Sequence, residues 1–164
     1  MTMKDNKTNA MRTLERAKVK FEAHFYETDG QVDGVHVADV VGIPYSKCFK
    51  TLVTFHKDSR AGKTDYYVFC IPVDQELDLK TAAKAVNVKS VEMLAVKDLL
   101  KTTGYIRGGC SPVGMKKLFQ TVIDASAQGQ QTIYVSGGKI GTQIEINPEE
   151  LAEVVGAKFE KITV

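Results

Sequence analysis

The apolar residues of this sequence follow two spacings, one typical of helices and one typical of strands. Over residues 8–20, apolar side chains such as Met11 and Leu14 stand three residues apart among charged ones, which predicts an amphipathic helix. Over residues 21–26, apolar and polar residues alternate, which predicts a strand that carries Tyr26 on the face opposite its phenylalanines. The chain therefore opens with a helix and a strand.

Caps and glycine stops mark four further helices. The clearest begins with Asn147 as a cap and Pro148 in the first turn, and Gly156 ends it. Asp78 is a second cap candidate, because its carboxylate can accept the free N–H groups of a first helical turn. The predicted helical segments are residues 37–42, 78–86, 96–104 and 147–156.

Runs rich in β-branched and aromatic residues predict the remaining strands. Residues 48–55 and 66–73 flank a polar loop with a glycine, which predicts an antiparallel pair. Strands and helices do not alternate regularly and no internal repeat is present. We therefore predict an α+β fold, a mixed and mainly antiparallel β-barrel with flanking helices, in one domain over residues 1–164. The other predicted strands are residues 118–123, 132–136 and 143–146.

Composition places the protein among ordinary folded chains, with 43% hydrophobic and 26% charged residues. The net charge of +2 neither requires nor excludes a nucleic-acid partner. No apolar run approaches the ~20 residues that cross a bilayer. Residues 1–7 also lack the apolar stretch of a signal peptide, so we expect a cytoplasmic protein. The three cysteines have no C-x-x-C spacing, which favours reduced thiols over disulfides or a cysteine-built zinc site.

Familiar catalytic and metal-binding motifs are incomplete. Tyr134 stands where a G-x-S-x-G turn needs its first glycine, and residue 133 is not the glycine that a phosphate-binding loop needs. The three histidines, His24, His36 and His56, are not at metal-ligand spacing. We predict surface or structural roles for them and no metal site.

The loop of residues 108–112 carries a candidate nucleophile, Cys110. No histidine partner is assigned to it, so a role as a small buried apolar residue is favoured. Gly108 and Gly109 permit either close approach of backbone N–H groups to a carbonyl or oxyanion, or an ordinary turn. Pro112 stiffens the exit of this loop.

Lys50 lies inside an otherwise apolar strand. One interpretation is that its ammonium points into a cleft, where it binds an anionic or carbonyl oxygen. The other is that Lys50 faces solvent on a half-exposed strand, as most lysines do. Alternation along the strand is compatible with both.

Several segments together resemble the YbaK/EbsC family. The resemblance runs nearly end to end and is closest to the YbaK branch, the Cys-tRNA(Pro) deacylases related to the editing domain inserted in bacterial prolyl-tRNA synthetases. The segments that carry it are Phe49-Lys50-Thr51-Leu52 and residues 75–80, 90–93, 103–105, 108–112 and 133–139.

This resemblance implies a mixed barrel with surrounding helices and a hydrolase that cleaves cysteine from proline tRNA in trans. The thiol of the cysteinyl group attacks its own carbonyl in the mechanism attributed to the family, so no protein nucleophile and no cofactor are expected. The implied partners are aminoacyl-tRNA and prolyl-tRNA synthetase, with neither a membrane nor DNA. Lys50 matches the catalytic lysine, and we expect substrate contacts from Tyr26, Thr51, Gly108, Gly109, Pro112 and Ser136.

Gln143 departs from the pattern of the family, in which an acidic residue is common at this position. A neutral amide can hydrogen-bond, but it carries no charge and cannot act as a base. Two alternatives stay open at this point. One is an Ala-tRNA(Pro) deacylase in which water attacks the ester, and the other is a noncatalytic module that binds an aminoacyl or nucleotide end.

Overall fold

A computed structural model describes residues 7–164, so the N-terminal residues 1–6, on which the signal-peptide prediction partly rests, lie outside the described residues. The helices of the described chain are α1 (Asn9–Arg16), α2 (Gly34–Val41), α3 (Leu79–Ala85), α4 (Val96–Thr103) and α5 (Pro148–Val155). The strands are β1 (Glu22–Phe25), β2 (Phe49–Asp58), β3 (Lys63–Pro72), β4 (Glu92–Met93), β5 (Gln120–Asp124), β6 (Ile133–Ser136), β7 (Thr142–Ile146) and β8 (Lys158–Glu160).

All five predicted helices are confirmed, and local capping explains where they begin and end. The Asn147 side chain accepts a hydrogen bond from the Glu150 N–H at the start of α5, at 3.0 Å. Gly42, Gly104 and Gly156 end their helices in the left-handed conformation that the predicted stops require. Helix α1 ends at Arg16, earlier than predicted, because Lys18 turns the chain with a φ of 59°.

The strands form two sheets. The larger has the order β4-β2-β3-β5-β8, with antiparallel pairing of β2 to β3 and β4 and parallel pairing of β5 to β3 and β8. The smaller is antiparallel, with the order β1-β7-β6. Within residues 7–164, a single parallel bridge between Cys48 and Tyr134 joins the sheets.

This topology confirms the α+β class and the mixed, mainly antiparallel pairing. The closed barrel is not confirmed, because the described strands form two open sheets that meet at one bridge instead of a continuous ring. β4 and β8 were not predicted from the sequence. They have two and three residues, which is too short for an alternating pattern to be visible.

The central strands of the larger sheet pack on both faces, and both packing layers include residues of β2. One face packs with α1, α5 and the smaller sheet, through residues such as Phe49 and Leu151. Helix α3 covers the other face, where Phe69 and Ile71 are fully buried against its alanines. No helix in the described part of the chain is long and apolar enough to cross a membrane.

Candidate functional site

A cavity of about 380 Å³ opens where the two sheets approach each other. Its walls come from the start of α2, the first residues of β2, the loop before Cys110, and the facing ends of β6 and β7. This volume lies in the range of small-ligand sites, about 300–1,000 Å³. The polar and sulfur-bearing side chains in the lining are those of Asp33, Cys48, Lys50, Thr51, Arg107, Cys110, Ser136 and Gln143.

One wall of the cavity is an unpaired edge of β2. On the side away from β3, β2 meets β6 at Cys48 and pairs with β4 from Thr54, and between these points it has no strand partner among the described residues. Consecutive residues 49–52 therefore all line the cavity, although alternate side chains point to opposite faces of the sheet. Such an edge offers backbone donors and acceptors to a ligand.

Lys50 brings a cation to this edge. It is half-buried, it stands opposite Ile71 in the β2–β3 register, and it makes no salt bridge with any of residues 7–164. Thr51 stands opposite Cys70, and its Oγ1 lies 3.9 Å from the Cys70 Sγ. The position of Lys50 at the cavity therefore agrees with the interpretation in which its ammonium points into a cleft.

The second wall is the loop between α4 and β5, which buried hydrogen bonds hold in place. The Tyr105 hydroxyl donates to the Val113 carbonyl at 2.7 Å, and the Val113 N–H donates to Ser111 Oγ at 3.2 Å. Gly108 has a φ of +85°, and a Cβ there would lie 2.5 Å from Val32 Cβ, which belongs to the cavity wall before α2. Only glycine fits at residue 108 without strain.

The third wall comes from the smaller sheet. Ser136 on β6 pairs in register with Gln143 on β7, and both residues line the cavity. Gln143 is 5% exposed. Its Oε1 is buried and has no hydrogen-bond partner, the only buried side-chain oxygen or nitrogen in residues 7–164 of which this is true.

The structure brings four of the seven predicted site residues together in the cavity lining: Lys50, Thr51, Gly108 and Ser136. The other three, Tyr26, Gly109 and Pro112, lie outside it. Tyr26 follows the end of β1, where its N–H donates to the Gly141 carbonyl at 3.0 Å. By alternation from His24, which is opposite Gln143, Tyr26 belongs to the sheet face that carries Gln143.

Gly109 and Pro112 pack against the protein itself. A Cβ at Gly109 would lie 3.0 Å from the Ile140 N, so its missing side chain admits the backbone of the β6–β7 turn. Pro112 is buried and lines a separate cavity next to Val113 and Phe119. The substrate contacts predicted for these two residues stay predictions.

Asp33 and Arg107 also line the cavity and were not identified from the sequence. Asp33 caps α2, and its Oδ2 accepts a hydrogen bond from the His36 N–H at 3.1 Å. An acidic residue before a glycine and a valine-rich helix is a recognisable cap signal. Arg107 is exposed beside Gly108, and no local pattern distinguishes it from other surface arginines.

The thiols near the cavity are not activated. Burial raises the pKa of Cys48 and of Cys110 from 9.0 to about 12, and both side chains line the cavity. Burial likewise raises the pKa of Cys70 to about 12. A nucleophilic cysteine needs a lowered pKa, so these values favour the interpretation of Cys110 as a small buried residue.

We expect the stability of the protein to fall at alkaline pH because of these thiols. Each binds its proton more tightly in the folded than in the unfolded chain, so stability from this source is complete below pH 9.0 and is lost as the pH rises towards about 12. Denaturant unfolding at a series of pH values, with thiolate absorbance as a second probe, tests this. Thiolate formation in the folded protein near pH 9.0 would contradict it.

Glu22, His24 and Glu145 form a cross-strand group outside the cavity, with one potential ligand atom from each within 4.8 Å of the others. His24 Nε2 lies 3.1 Å from Glu145 Oε1 and 3.9 Å from Glu22 Oε2. A hydrogen bond from the Thr132 hydroxyl holds the pKa of Glu145 below its usual value. Sequence spacing does not reveal this group, because the β1–β7 register assembles it.

Two comparisons by sequence bear on this cavity. Residues 32–154 match the family model of the aminoacyl-tRNA editing domain, and every cavity-lining residue lies within that range. The chain is also 48% identical, over 96% of its length and 93% of the relative, to EbsC of Enterococcus faecalis, named as a candidate Cys-tRNA(Pro)/Cys-tRNA(Cys) deacylase. A proline–tRNA ligase of Fervidobacterium nodosum is 26% identical over 73% of this chain and 21% of the ligase.

Solved structures share the fold. The hypothetical protein APE2540 superposes with a TM-score of 0.84 at 22% identity, covering 96% of this chain and 100% of that protein. A structure described as a candidate trans-editing enzyme for prolyl tRNA synthetase gives a TM-score of 0.79 at 20% identity, covering 100% of this chain and 99% of the other. Both match nearly the whole chain, so its α+β arrangement is one found in solved proteins.

Proposed function

The chain belongs to the aminoacyl-tRNA editing domain family, and from this premise we propose that it is a trans-editing deacylase that hydrolyses mischarged Cys-tRNA(Pro). The observation that carries the proposal is the 48% identity to EbsC over 96% of the chain. We extend the family assignment to residues 1–164 as one deacylase domain. An enzyme of this kind acts on an ester bond, the link between the amino acid and the ribose of the tRNA 3′ end.

The cavity has groups suited to this ester. Lys50 supplies a cation, and the loop at Gly108 together with the free β2 edge supplies backbone N–H groups. Such donors stabilise the negative charge that develops on a carbonyl oxygen when its carbon is attacked. We assign Lys50 to this charge or to the neighbouring oxygens of the tRNA 3′ end, with Thr51 and Ser136 beside the aminoacyl group.

The nucleophile in this proposal is the thiol of the substrate. Its sulfur forms a bond to the carbonyl carbon of the same cysteinyl group, the bond from that carbon to the ribose oxygen breaks, and the ribose oxygen takes the thiol proton. The amino acid leaves as a cyclic thiolactone, which water then opens to cysteine. Positioning of the ester accelerates such an internal attack, and no activated protein side chain is needed.

Prolyl-tRNA synthetase is the partner we propose for recruitment of the substrate. The net charge of +2 is small for a protein that binds tRNA through phosphate contacts alone. A complex with the synthetase would deliver the mischarged tRNA 3′ end to the cavity.

Release of amino acid from Cys-tRNA(Pro), Cys-tRNA(Cys), Ala-tRNA(Pro) and Pro-tRNA(Pro) tests the proposed function. We expect rapid loss of the cysteinyl esters and little loss of the alanyl and prolyl esters. Rapid loss of the alanyl ester alone would instead support the enzyme that uses water. If no ester is cleaved even when prolyl-tRNA synthetase is added, the noncatalytic binding module is the better description.

Replacement of Cys110 by alanine is expected to leave the deacylation rate within about threefold of the native rate, far from the ~10²–10³-fold cost of losing a transition-state contact. The reason is that the Cys110 thiol is neutral and buried, with its pKa raised to about 12. The kcat/KM for Cys-tRNA(Pro) checks this, with Cys110→Ser as a matched variant. A folded Cys110→Ala protein without activity would show that this sulfur takes part in the reaction.

A further inference from the structure

The amide of Gln143 is a buried polar group that the fold leaves unsatisfied. The residue is 5% exposed, and its Oε1 accepts no hydrogen bond. Such an acceptor costs about 1–3 kcal/mol in a folded protein, so its presence needs a reason. Gln143 lines the cavity, which indicates that its partner is a ligand.

The neighbours of Gln143 in the sheet do not supply the missing donor. His24, opposite it on β1, hydrogen-bonds through Nε2 to Glu145 at 3.1 Å. Ser136, opposite it on β6, accepts at Oγ from the Gly138 N–H at 3.3 Å, and Gln143 Oε1 is still without a partner. The acceptor therefore lies between two strands at a wall of the cavity, and no donor of residues 7–164 reaches it.

We propose that Gln143 Oε1 accepts a hydrogen bond from the α-amino group of the aminoacyl substrate, an inference that rests on the proposed function. The carbonyl and ester oxygens of an aminoacyl ester are acceptors, and a thiol is a weak donor. The α-amino group is the strong donor of the aminoacyl moiety. In this arrangement Lys50 and the Gly108 loop donate to the oxygens of the ester, and Gln143 accepts from the amino group. Together these contacts fix the orientation of the aminoacyl group in the cavity.

Asp33 is the competing acceptor in the cavity. Its carboxylate already accepts the His36 N–H at 3.1 Å as the cap of α2, and the residue is exposed at the cavity mouth. Gln143 is buried, and a hydrogen bond made away from water contributes more to recognition. The neutral amide oxygen can accept from either a protonated or an unprotonated amine, since both carry N–H groups, and the bond from the protonated form is the stronger one.

The decisive comparison uses two esters of the same tRNA(Pro), one with cysteine and one with 3-sulfanylpropanoic acid, which is cysteine without its α-amino group. We expect Gln143→Met to lower kcat/KM for the cysteinyl ester by about 10- to 100-fold, the effect of losing a hydrogen bond to a charged group. The same variant should cleave the desamino ester at the native rate. Gln143→Glu, which keeps an acceptor, should lose less than Gln143→Met on the cysteinyl ester.

Thermal unfolding separates this role from a structural one. Because Gln143→Met removes an unsatisfied buried acceptor at similar volume, its Tm should equal or exceed the native value. An equal loss of activity on both esters, or no loss on either, would overturn the proposal. If Asp33→Asn instead shows the selective loss on the cysteinyl ester and Gln143→Met does not, the amino group binds at Asp33.

A binding measurement keeps the inference separate from the proposed function. The probes are 3′-cysteinylamino-3′-deoxyadenosine, which the protein cannot hydrolyse as an ester, and its desamino counterpart. We expect Gln143→Met to weaken only the first, as measured by calorimetry. If the native protein cleaves no ester but this selective loss is seen, the deacylase function fails and the role of Gln143 stands. Equal affinities of native and variant protein for the first probe would overturn the role of Gln143.

Discussion

Replacement of Lys50 by alanine is expected to lower kcat/KM for Cys-tRNA(Pro) by about 10²–10³-fold, the cost of removing one preorganised group that stabilises the transition state. Lys50 lines the cavity next to Phe49, which belongs to the hydrophobic core, and it has no salt bridge to any described residue. Its charge is therefore available to the ester or to the tRNA 3′ end. The measurement is the rate of cysteine release over a range of tRNA concentrations.

Two variants control for other effects of this change. Lys50→Met keeps the aliphatic part of the side chain and should lose as much activity as Lys50→Ala, since the charge is what matters. Lys57→Ala removes an exposed lysine from the same strand outside the cavity and should keep native activity. Native rates for both Lys50 variants, in protein that unfolds at the native temperature, would remove Lys50 from the reaction.

The fold could be predicted wherever its causes are local. Asn147, Gly42 and Gly104 act on the backbone next to them, so the helix limits that they set are visible in the sequence. β8 is a strand because Lys158–Glu160 pairs in parallel with β5. These three residues carry no local pattern from which the pairing could be predicted. The closed barrel is not confirmed for a related reason, because closure depends on how the two sheets meet.

The candidate site likewise contains residues that the sequence alone reveals and residues that only the fold brings together. Lys50 and Thr51 are adjacent in the sequence, and a lysine inside an otherwise apolar strand differs visibly from its neighbours. The opposition of Ser136 and Gln143 depends on the β6–β7 register, and the missing partner of Gln143 Oε1 is visible only in three dimensions. The sequence shows Gln143 as a departure from the pattern of the family, but the role proposed for it could not be predicted from the sequence.

Replacement of Gly108 by alanine is expected to lower kcat/KM for Cys-tRNA(Pro) by about 100-fold, because a displacement of about 1 Å in a positioned site has that effect. An alanine at this residue has to adopt a φ of +85°, and its Cβ would lie 2.5 Å from Val32 Cβ. The strain costs about 1–2 kcal/mol, and overpacking adds about 1–3 kcal/mol. The loop and the segment before α2 then move apart, which disturbs two walls of the cavity.

Two further variants separate backbone strain from the clash. Gly129→Ala has the same kind of strain, with a φ of +83°, but its Cβ meets no atom within 4 Å. It should lose stability modestly and keep native activity. Val32→Gly in the Gly108→Ala background removes Val32 Cβ and both methyl groups, the three atoms nearest to the new Cβ, and should restore part of the lost activity. If Gly108→Ala is as active as Gly129→Ala, the backbone at residue 108 does not position the ester, and the donors for the carbonyl oxygen have to come from Lys50 and the β2 edge.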